Sequence, residues 1–343
     1  MDDRATSMRA DAPEAIVHGG DLAAIGRRYP DAPQPWIDLS TGINPIPYPV
    51  PPIPLASWAR LPSKSEDDAL RAAAAARYGV TEPDMIVAAP GTQALLQILP
   101  RLRPHATVAV LAPTYEEHAL CWRRCGHRVS LVDDLDALAG ADVAVIVNPN
   151  NPTGRLLPRD ALVSLAAQLR RRDGLLIVDE AFIDLYPADA SLAAELPPAT
   201  IVLRSFGKVY GLGGVRLGFA IGSDDIVRRL RDELGPWAVS GPALAIGTAA
   251  LADAAWLEQT RVRLANDCLR IEGLLSQAGC EVIGGTPLFR LVTSPNAPDV
   301  AERLARHGIH VRRFPAQPNR LRFGLPGDES EWQRLAQARG SAS

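Results

Sequence analysis

The middle of the chain, from Met85 to about Gly222, alternates short apolar segments with longer segments whose apolar residues recur at helical spacing. Short apolar runs bounded by turn residues are typical of buried strands, and the longer segments are typical of helices. The predicted strands are Met85–Ala89, Thr107–Ala112, Arg128–Val132, Val143–Asn148, Leu175–Asp179, Thr200–Leu203 and Val215–Ile221, and the predicted helices are 92–102, 115–125, 158–172 and 224–234. This alternation predicts an α/β fold with a mostly parallel sheet.

The two ends of the chain carry a different pattern. Residues 1–13 show no regular pattern, and a short helix at 22–29 and a strand at 36–40 follow them. Beyond Gly235-Pro236 the sequence predicts a helical region at 242–278, a helix at 298–307, and strands near 281–292, 309–313 and 320–325. Three parts are therefore expected: an N-terminal segment at 1–40 that packs with a small α+β domain at 236–343, and a large domain at 41–235.

Two further segments lie between the N-terminal strand and the alternating region. Pro45–Pro54 is dense in proline, so it can form neither a helix nor a central strand. A stiff, extended segment of this kind is expected to lie across another surface. Glu66–Tyr78 is rich in alanine and predicts a helix that ends at Gly79.

Composition is that of an ordinary soluble globular protein. Of the 343 residues, 47% are hydrophobic and 22% are charged, and the formal net charge is −3. This balance gives no basic surface for nucleic acid, and the apolar runs fall short of the ~20 residues that cross a membrane. Residues 1–17 carry Asp and Arg and lack a long apolar run, so no secretory leader is predicted and a cytoplasmic location is expected.

The cysteines do not form a recognisable framework. Cys121, Cys125, Cys268 and Cys280 lack the CxxC spacing of zinc and redox sites. We interpret them as reduced thiols of a cytosolic protein, and no metal is expected.

Lysine usage singles out one glycine-rich stretch, Arg204–Gly218. The sequence contains 36 Lys and Arg residues, of which only Lys64 and Lys208 are lysines. Arginine does not deprotonate in proteins, whereas a lysine amine with a lowered pKa can attack a carbonyl and form a Schiff base. Lys208 is therefore a candidate nucleophile. A flexible loop with an ordinary surface lysine explains this stretch equally well when it is taken alone.

A pair of acids, Asp179-Glu180, follows the predicted strand Leu175–Asp179. Ligands of parallel α/β sheets bind outside the carboxyl ends of the strands, so an acid at this position points towards a site. A buried carboxylate there could keep a pyridinium nitrogen protonated, which makes the ring an electron sink. A helix N-cap or a solvated turn is the commoner role of such an acid.

Two loops at strand ends also suggest a ligand site. Asn148–Gly154 contains two Asn-Pro steps, which favour an extended turn with projecting amide side chains. Pro90–Gln93 opens a helix directly after a strand, so its free backbone N–H groups could hold a phosphate. Ser205 and Arg216 could contribute a hydroxyl and a guanidinium to the same phosphate. Tyr115 follows another strand, where its ring could stack on a cofactor.

Together these motifs resemble the fold type I pyridoxal-phosphate enzymes, the aspartate aminotransferase superfamily. The resemblance rests on Asn151-Pro-Thr-Gly, Asp179-Glu-Ala, Ser205-x-x-Lys208 and Arg216 in this order, and it extends from about residue 15 to 326. It implies a pyridoxal-phosphate transferase-like fold, with pyridoxal 5'-phosphate bound in the large domain. Members are usually homodimers, and Tyr48 of the proline-rich segment is expected to reach the partner's site.

The resemblance also implies roles for individual residues. Lys208 would bind the cofactor covalently and later move protons. Asp179 would pair with the ring nitrogen and Asn151 with the phenolic oxygen, while Tyr115 would cover the ring face. The residues expected to hold the cofactor phosphate are Gly91, Thr92, Gln93, Ser205 and Arg216.

The residues that would bind the substrate are less clearly indicated by the sequence. Arg322 stands where the family places the arginine that binds the substrate carboxylate, with Arg320 as a competitor by strand register. A substrate phosphate would need a second anion pocket, for which His18, Arg312 and Arg313 are the candidates. Gly42, in the motif Asp38–Pro45, is also assigned to the substrate side.

Two departures separate the chain from typical aminotransferases of this superfamily. Phe182 stands where many members have tyrosine, and Gly207 replaces the hydroxyl residue that usually precedes the lysine in the histidinol-phosphate branch. The motifs His18-Gly-Gly-Asp21 and Asp38–Pro45 instead resemble the cobalamin-pathway branch, which contains the L-threonine-O-3-phosphate decarboxylases. The resemblance therefore implies decarboxylation of threonine phosphate. The alternatives are a histidinol-phosphate-type aminotransferase and a non-catalytic ligand-binding protein on the same fold.

Overall fold

The structure, a computed structural model, describes residues 18–338. The strands are β1 Ile37–Leu39, β2 Ile86–Ala89, β3 Thr107–Leu111, β4 Arg128–Val132, β5 Val143–Val147, β6 Leu175–Asp179, β7 Thr200–Ser205, β8 Gly218–Ile221, β9 Glu281–Thr286, β10 Phe289–Thr293, β11 Ile309–Arg313 and β12 Arg320–Phe323. The helices are α1 Leu22–Arg28, α2 Leu55–Ala59, α3 Lys64–Tyr78, α4 Thr92–Ile98, α5 Glu117–Arg124, α6 Arg159–Arg170, α7 Phe206–Val209, α8 Asp224–Leu234, α9 Gly241–Ala252, α10 Ala254–Gln277, α11 Ala297–Arg306 and α12 Glu329–Ala338.

A seven-stranded sheet forms the larger core, with strand order β2-β8-β7-β6-β5-β3-β4. β7, β6, β5, β3 and β4 run parallel, and β8 is antiparallel to both of its neighbours. Every residue of β5 and β6 is buried, because helices cover both faces of a parallel sheet and leave no polar side to its central strands. The predicted mostly parallel α/β fold is therefore confirmed, and the carboxyl ends of β3, β5, β6 and β7 lie along one edge.

A second, five-stranded sheet has the order β1-β11-β12-β10-β9. β1 pairs in parallel with β11, with Asp38 opposite His310, and the other pairs are antiparallel. A strand close to the start of the chain thus lies at the edge of a sheet that is otherwise built from residues 281–323.

The hydrophobic cores place one boundary later than the sequence predicted. The expected boundary at 235/236 precedes α9, but Leu244 in α9 and Leu257 in α10 belong to the core of the large sheet. Leu264 and Ile271, further along α10, belong to the core of the small sheet. The change from one core to the other therefore occurs inside α10. Helix α9 is apolar on all sides, so its sequence predicts burial without indicating which sheet buries it.

Several element bounds differ from the predictions for local reasons. The helical region 242–278 is divided at Asp253, whose Oδ1 accepts a hydrogen bond of 2.9 Å from Trp256 N at the start of α10. β8 begins at Gly218, three residues later than predicted, because Gly213–Val215 form a 3₁₀ turn and Arg216 has a left-handed backbone with φ 56°. The sequence did not predict α2 and α12. The absence of pattern in 1–13 and of a leader in 1–17 concerns residues outside the described range.

The helix Glu66–Tyr78 is confirmed as the main part of α3. It begins with a capping box between Ser63 and Glu66 and ends at Gly79, whose φ is 72°. Among residues 18–338, no helix is long and apolar enough to cross a membrane.

Candidate active site

Lys208 lies on a very short helix that follows β7 without a loop. β7 ends at Ser205 and α7 begins at Phe206, which places the lysine one turn beyond the carboxyl edge of the sheet. A Cβ atom on Gly207 would lie 2.8 Å from the Cα atom of Gly213. The close approach of these two backbones therefore requires glycine at 207, which explains the absence of a hydroxyl residue there.

The Lys208 amine is in an environment that favours its neutral form. Burial and the cations Arg322 and Arg216 lower the pKa of Lys208 from 10.5 to about 8, and the nearby Asp179 opposes this shift. Within residues 18–338, the Nζ atom has no hydrogen-bond or ion-pair partner, and it lies 5.7 Å from the centroid of the Phe182 ring. An amine of this kind is a better nucleophile at neutral pH than an exposed lysine. The interpretation as an ordinary surface lysine does not fit this environment.

Asp179, at the end of β6, is buried and its two oxygens have different partners. Oδ1 accepts a hydrogen bond of 3.0 Å from Ala181 N, as in the turn that the sequence left as an alternative. Oδ2 lies 2.9 Å from Nε2 of His118, a residue of α5 that is 1% exposed. His118 was not among the site residues predicted from the sequence. Its position in the first turn of a helix that follows β3 was the available signal, since that turn lies at the same edge of the sheet.

Asn151 and Tyr115 project from neighbouring loops. Asn151 Oδ1 accepts a hydrogen bond from Arg322 Nη1. The Tyr115 hydroxyl donates to Gln93 Oε1 at 3.4 Å, and burial, together with the charges of Glu117 and Asp179, raises the pKa of Tyr115 to about 12. Tyr115 is therefore a neutral, half-buried ring beside the site.

The proposed phosphate cradle combines a helix start with a guanidinium. No side chain caps α4, and its first residue follows Gly91, which has φ 81°. A Cβ atom on Gly91 would lie 2.7 Å from Arg216 Nη2, so glycine lets the guanidinium approach the helix start. The Ser205 hydroxyl has no hydrogen-bond partner among residues 18–338. Helix N–H groups, a free hydroxyl and a guanidinium together suit a phosphate.

Thr92 and Gln93 contribute to this cradle in different ways. A Cβ atom on Gly218 of β8 would lie 2.6 Å from Thr92 N, so the strand backbone passes directly beneath the helix start. The Gln93 side chain donates to Glu117 Oε2 at 3.0 Å and accepts from Tyr115. The side chain of Gln93 is therefore occupied, and its backbone N–H is the group that it offers to a phosphate.

Arg322 is the arginine of β12 that points into the site. It is 8% exposed, and its Nη2 donates to the carbonyl oxygen of Ser40 at 2.7 Å. Its Nε is buried without a partner in the described residues. Burial and the charge of Arg312 lower the pKa of Arg322 to about 10. Arg320, the alternative left open by strand register, instead donates to Gln317 Oε1 at 2.8 Å.

Arg312 lies next to Arg322, and the neighbouring Arg313 does not. Arg312 and Arg322 are paired residues of β11 and β12. Among residues 18–338, Arg312 has no hydrogen bond or ion pair, and burial lowers its pKa despite the opposing charge of Glu116. Arg313 lies 3.9 Å from Glu302 Oε2. The structure therefore leaves the Arg312 guanidinium available to an anion and places Arg313 beside an acid.

The N-terminal motif reaches this region. His18 Nε2 lies 3.1 Å from Glu117 Oε1, and the His18 ring centroid is 6.2 Å from that of Tyr115. Gly20 N donates to Ser40 Oγ at 2.8 Å, and a Cβ atom on Gly19 would lie 2.5 Å from Ser40 O. The glycines thus allow the backbone after His18 to lie directly against β1.

Gly42 and Tyr48 both lie against aromatic side chains. A Cβ atom on Gly42 would lie 2.8 Å from Phe289 Cδ1. Tyr48 is 8% exposed, and its ring packs edge-on against Tyr210 and Trp256. The Tyr48 ring therefore lies in the core of its own chain, and the expectation that it reaches a partner subunit stays a prediction.

The residues present fit a flat, phosphorylated aldehyde cofactor. They comprise the Lys208 amine with its lowered pKa, the Asp179 carboxylate, the Tyr115 ring and the phosphate cradle that includes Arg216. The unpartnered Nε of the buried Arg322 leaves a further donor for an anionic substrate. Within residues 18–338, no group of three or more His, Cys, Asp or Glu side chains could hold a metal ion.

Comparison with known proteins places the chain in a family. The family model described as aminotransferase class I and II matches residues 57–338. A threonine-phosphate decarboxylase of Pseudomonas aeruginosa is 44% identical over 323 residues, covering 93% of this chain and 96% of the relative. A threonine-phosphate decarboxylase of Sinorhizobium sp. is 43% identical, covering 94% of this chain and 97% of the relative.

Solved structures give the same answer for the fold. A histidinol-phosphate aminotransferase from Sinorhizobium meliloti, in complex with pyridoxal-5'-phosphate, superposes with a TM-score of 0.81 at 24% identity, covering 97% of each chain. An L-threonine-O-3-phosphate decarboxylase from Porphyromonas gingivalis gives a TM-score of 0.73 at 19% identity, covering 88% of this chain and 98% of the other. The chain belongs to the class I and II aminotransferase family.

Proposed function

We propose that this chain is a pyridoxal 5'-phosphate-dependent lyase that decarboxylates L-threonine O-3-phosphate to (R)-1-amino-2-propanol O-2-phosphate in cobalamin biosynthesis. Two relatives at 43% and 44% identity that are named threonine-phosphate decarboxylase support this reaction. The structural observation that carries the proposal is the pairing of Arg312 and Arg322 across β11 and β12. Guanidinium groups bind carboxylate and phosphate well, so two of them suit a substrate that carries both anions.

The cofactor is assigned to the edge of the large sheet. When bound, it supplies an electron sink for the bonds of the substrate α-carbon. Asp179, which is fixed by His118 and Ala181 N, would be the acid that keeps a proton on the ring nitrogen. Asn151 and Tyr115 would hold the ring, and the phosphate would lie among the residues of the cradle, namely Gly91, Thr92, Gln93, Ser205 and Arg216.

Lys208 has two tasks in this proposal. Its amine would hold the cofactor covalently, and Nζ would also hold the proton that is delivered to the substrate α-carbon. A pKa of about 8 suits both, because the amine is neutral in a useful fraction of molecules and protonated in the rest near neutral pH. The phenyl ring of Phe182 near Nζ excludes water from that side of the amine.

The substrate is held at both of its anionic ends. Arg322 binds the carboxylate, and Arg312 with His18 binds the phosphate. Gly42 is assigned to the same side, where a Cβ atom would lie 2.8 Å from Phe289 Cδ1, so glycine lets this ring pack against the backbone. Fixing two ends of a small molecule restricts its rotation, so the Cα–carboxylate bond takes one orientation relative to the cofactor plane.

Carbon dioxide release tests the reaction directly. The holoenzyme is incubated with L-threonine O-3-phosphate in the absence of any keto acid, with L-threonine as the matched control. We expect CO₂ and an aminopropanol phosphate in equal amounts from the phosphorylated substrate only. Transfer of the amino group to 2-oxoglutarate without CO₂ would contradict the proposal. It would favour the aminotransferase alternative, which relatives at 31–33% identity named histidinol-phosphate aminotransferase also suggest.

We also propose that the enzyme is a cytoplasmic homodimer. Leu55, Trp58, Leu61 and Trp237 are 79%, 65%, 68% and 59% exposed, and helix α2, which contains Leu55 and Trp58, packs on α9. Large exposed apolar surfaces are typically covered by another protein surface. A second copy of this chain is the partner we propose, because members of the superfamily are usually homodimers. The four free thiols support a reducing compartment. Sedimentation at the mass of two chains is expected, and a monomer at micromolar concentration would contradict the dimer.

A further inference from the structure

A buried cluster of charges lies behind the candidate active site. Arg204 Nη1 lies 3.2 Å from Glu180 Oε2, and Nη2 pairs with Asp184 Oδ1. The three side chains are buried, with Arg204 4%, Glu180 0% and Asp184 4% exposed. The Arg204 guanidinium also lies 4.1 Å from the centroid of the Tyr78 ring. None of these groups has a role in the proposed reaction.

The cluster joins the ends of the two strands that carry the site residues. Glu180 and Arg204 are the immediate neighbours of Asp179 and Ser205 along the chain. Successive side chains of a strand point to opposite faces, so the site residues project to one face and the ion pair to the other. Glu180 N also donates to Leu203 O at 2.9 Å. The ion pair therefore crosses from β6 to β7 directly behind the pair Asp179 and Ser205.

Glu180 is itself fixed by a second loop. Its Oε2 accepts from Ser191 Oγ at 2.6 Å, and its Oε1 accepts from Leu192 N at 2.8 Å. Arg204 Nη1 donates to the same Ser191 hydroxyl at 3.2 Å. Each partner of the ion pair thus has additional hydrogen bonds, which makes its geometry specific.

The helix that bears Lys208 has little stability of its own. α7 has four residues, and a helix of this length does not persist without tertiary contacts. Arg204 lies just before it and Tyr210 just after it. Tyr210 is 0% exposed and stacks on Phe206 and Trp256, with ring centroids 4.5 Å and 5.5 Å away. The position of Lys208 is therefore set by what holds the residues on either side of it.

We propose that Arg204 is a positioning residue whose ion pairs with Glu180 and Asp184 fix the distance between Asp179 and Lys208. The pairs hold the end of β6 and the turn into α7 in one register, so that the acid and the amine face the same ligand. This inference rests on the assignment of Lys208 and Asp179 under the proposed function.

The experiment compares Arg204→Met with Arg71→Met. Arg71 is a matched control, because it is 7% exposed and is paired with three acids, Asp67 and Asp68 near the start of α3 and Asp84 in the 3₁₀ turn before β2. Both holoenzymes are studied at a temperature where circular dichroism shows them folded. The readouts are the cofactor dissociation constant, the pH midpoint of the visible absorption of the bound cofactor, and kcat and KM separately.

We expect Arg204→Met to weaken cofactor binding and lower kcat by roughly tenfold to a hundredfold, with a displaced pH midpoint and a nearly unchanged KM. Arg204→Lys, which can pair with one acid at a time, should show a smaller displacement of the pH midpoint than Arg204→Met. Arg71→Met should change the melting temperature alone. Equal effects of Arg204→Met and Arg71→Met on all readouts would overturn the positioning role.

Three further variants complete the test. If Arg204→Met does not fold, Glu180→Gln and Asp184→Asn each remove one arm of the cluster, and a positioning role requires that at least one displaces the pH midpoint. Lys208→Ala separates the two proposals. If borohydride still fixes the cofactor to Lys208→Ala protein, the assignment of Lys208 fails, whatever the Arg204 variants show.

Discussion

Arg322 donates a hydrogen bond from Nη1 to the side-chain oxygen of Asn151. Arg322 belongs to the small sheet, and Asn151 follows a strand of the large one. The proposed substrate arginine and the proposed cofactor amide are therefore hydrogen-bonded to each other. A substrate carboxylate at Arg322 would compete with Asn151 for the same guanidinium, which links substrate binding to the position of the amide that faces the cofactor.

Lys208→Ala should abolish covalent attachment of the cofactor. The amine is the proposed nucleophile, and the other lysine of the sequence, Lys64, is exposed and pairs with Asp68. After incubation with pyridoxal phosphate and reduction with borohydride, mass spectrometry of peptides should find the cofactor on residue 208 of the wild type and on no residue of Lys208→Ala. Lys64→Ala is the control and should retain the modified peptide. A modified peptide elsewhere in the wild type would refute the assignment.

The stability of the apoprotein should depend on pH through Lys208. Its pKa is about 8 in the folded chain and 10.5 as the reference value for an exposed lysine. Between these values the unfolded chain binds more protons than the folded chain, so the free energy of unfolding rises with pH. Below pH 8 the protonated amine costs at most about 3 kcal/mol, and this cost disappears as the pH approaches 10.5.

Lys208→Met isolates that effect. Urea unfolding at pH 7 should show the variant more stable than the wild-type apoprotein, and the difference should shrink at pH 10. Other groups that titrate in this range are present in both proteins and cancel in the comparison. A difference that is independent of pH would show that the amine has an ordinary pKa.

Arg312→Met should weaken binding of L-threonine O-3-phosphate while leaving the cofactor in place. Loss of a charge-assisted hydrogen bond costs about 1.5–3 kcal/mol, which corresponds to roughly 10- to 150-fold in affinity. The control is Arg320→Met on the adjacent strand, whose guanidinium is bonded to Gln317. Isothermal titration of the holoenzyme with inorganic phosphate and with the substrate measures both variants. Equal losses in the two variants would remove Arg312 from the substrate site.

Gly207→Ala should displace the turn that carries Lys208. The added methyl group would lie 2.8 Å from Gly213 Cα, a backbone atom that cannot move aside without shifting the loop. We expect a loss of about 1–3 kcal/mol of stability and weaker cofactor binding. Gly214→Ala is the control, because no atom lies within 4 Å of the added methyl group. Urea unfolding and absorption titration with pyridoxal phosphate distinguish the two variants.

The sequence predicted the large sheet well because its strands are buried on both faces. β5 and β6 are continuous apolar runs, and such runs are visible without knowledge of their neighbours. The start of β8 was wrong because Arg216 takes a left-handed conformation that arginine rarely adopts, so no propensity indicates it. The change of core inside α10 was not visible in the sequence, because α9 is apolar on all sides and its sequence does not indicate which sheet buries it.

The candidate site was predictable where several motifs occur in order, and less so where a residue acts through a distant contact. Lys208, Asp179 and Arg216 are marked by their places at strand ends. His118 contacts Asp179 across 61 positions of sequence, and its place in the first turn of the helix after β3 indicates the edge of the sheet but not this partner. Tyr48 was expected to reach a partner subunit because it lies in a proline-rich segment. Its ring packs edge-on against Trp256 of the same chain, a contact that the local sequence does not indicate. Contacts of this kind exist only after the chain has folded.

The pairing of β1 with β11 has a consequence for synthesis on the ribosome. Residues 37–39 emerge early, but their hydrogen-bonding partners at 309–311 are made among the last. Pairing between such distant segments forms late, because a long loop must close first. The hydrogen bond from Arg322 to the carbonyl oxygen of Ser40 can therefore form only after almost the whole polypeptide has been synthesised. A nascent chain interrupted before residue 309 would contain Lys208 and the residues proposed to bind the cofactor phosphate. It would lack Arg312 and Arg322, which are proposed to bind the substrate.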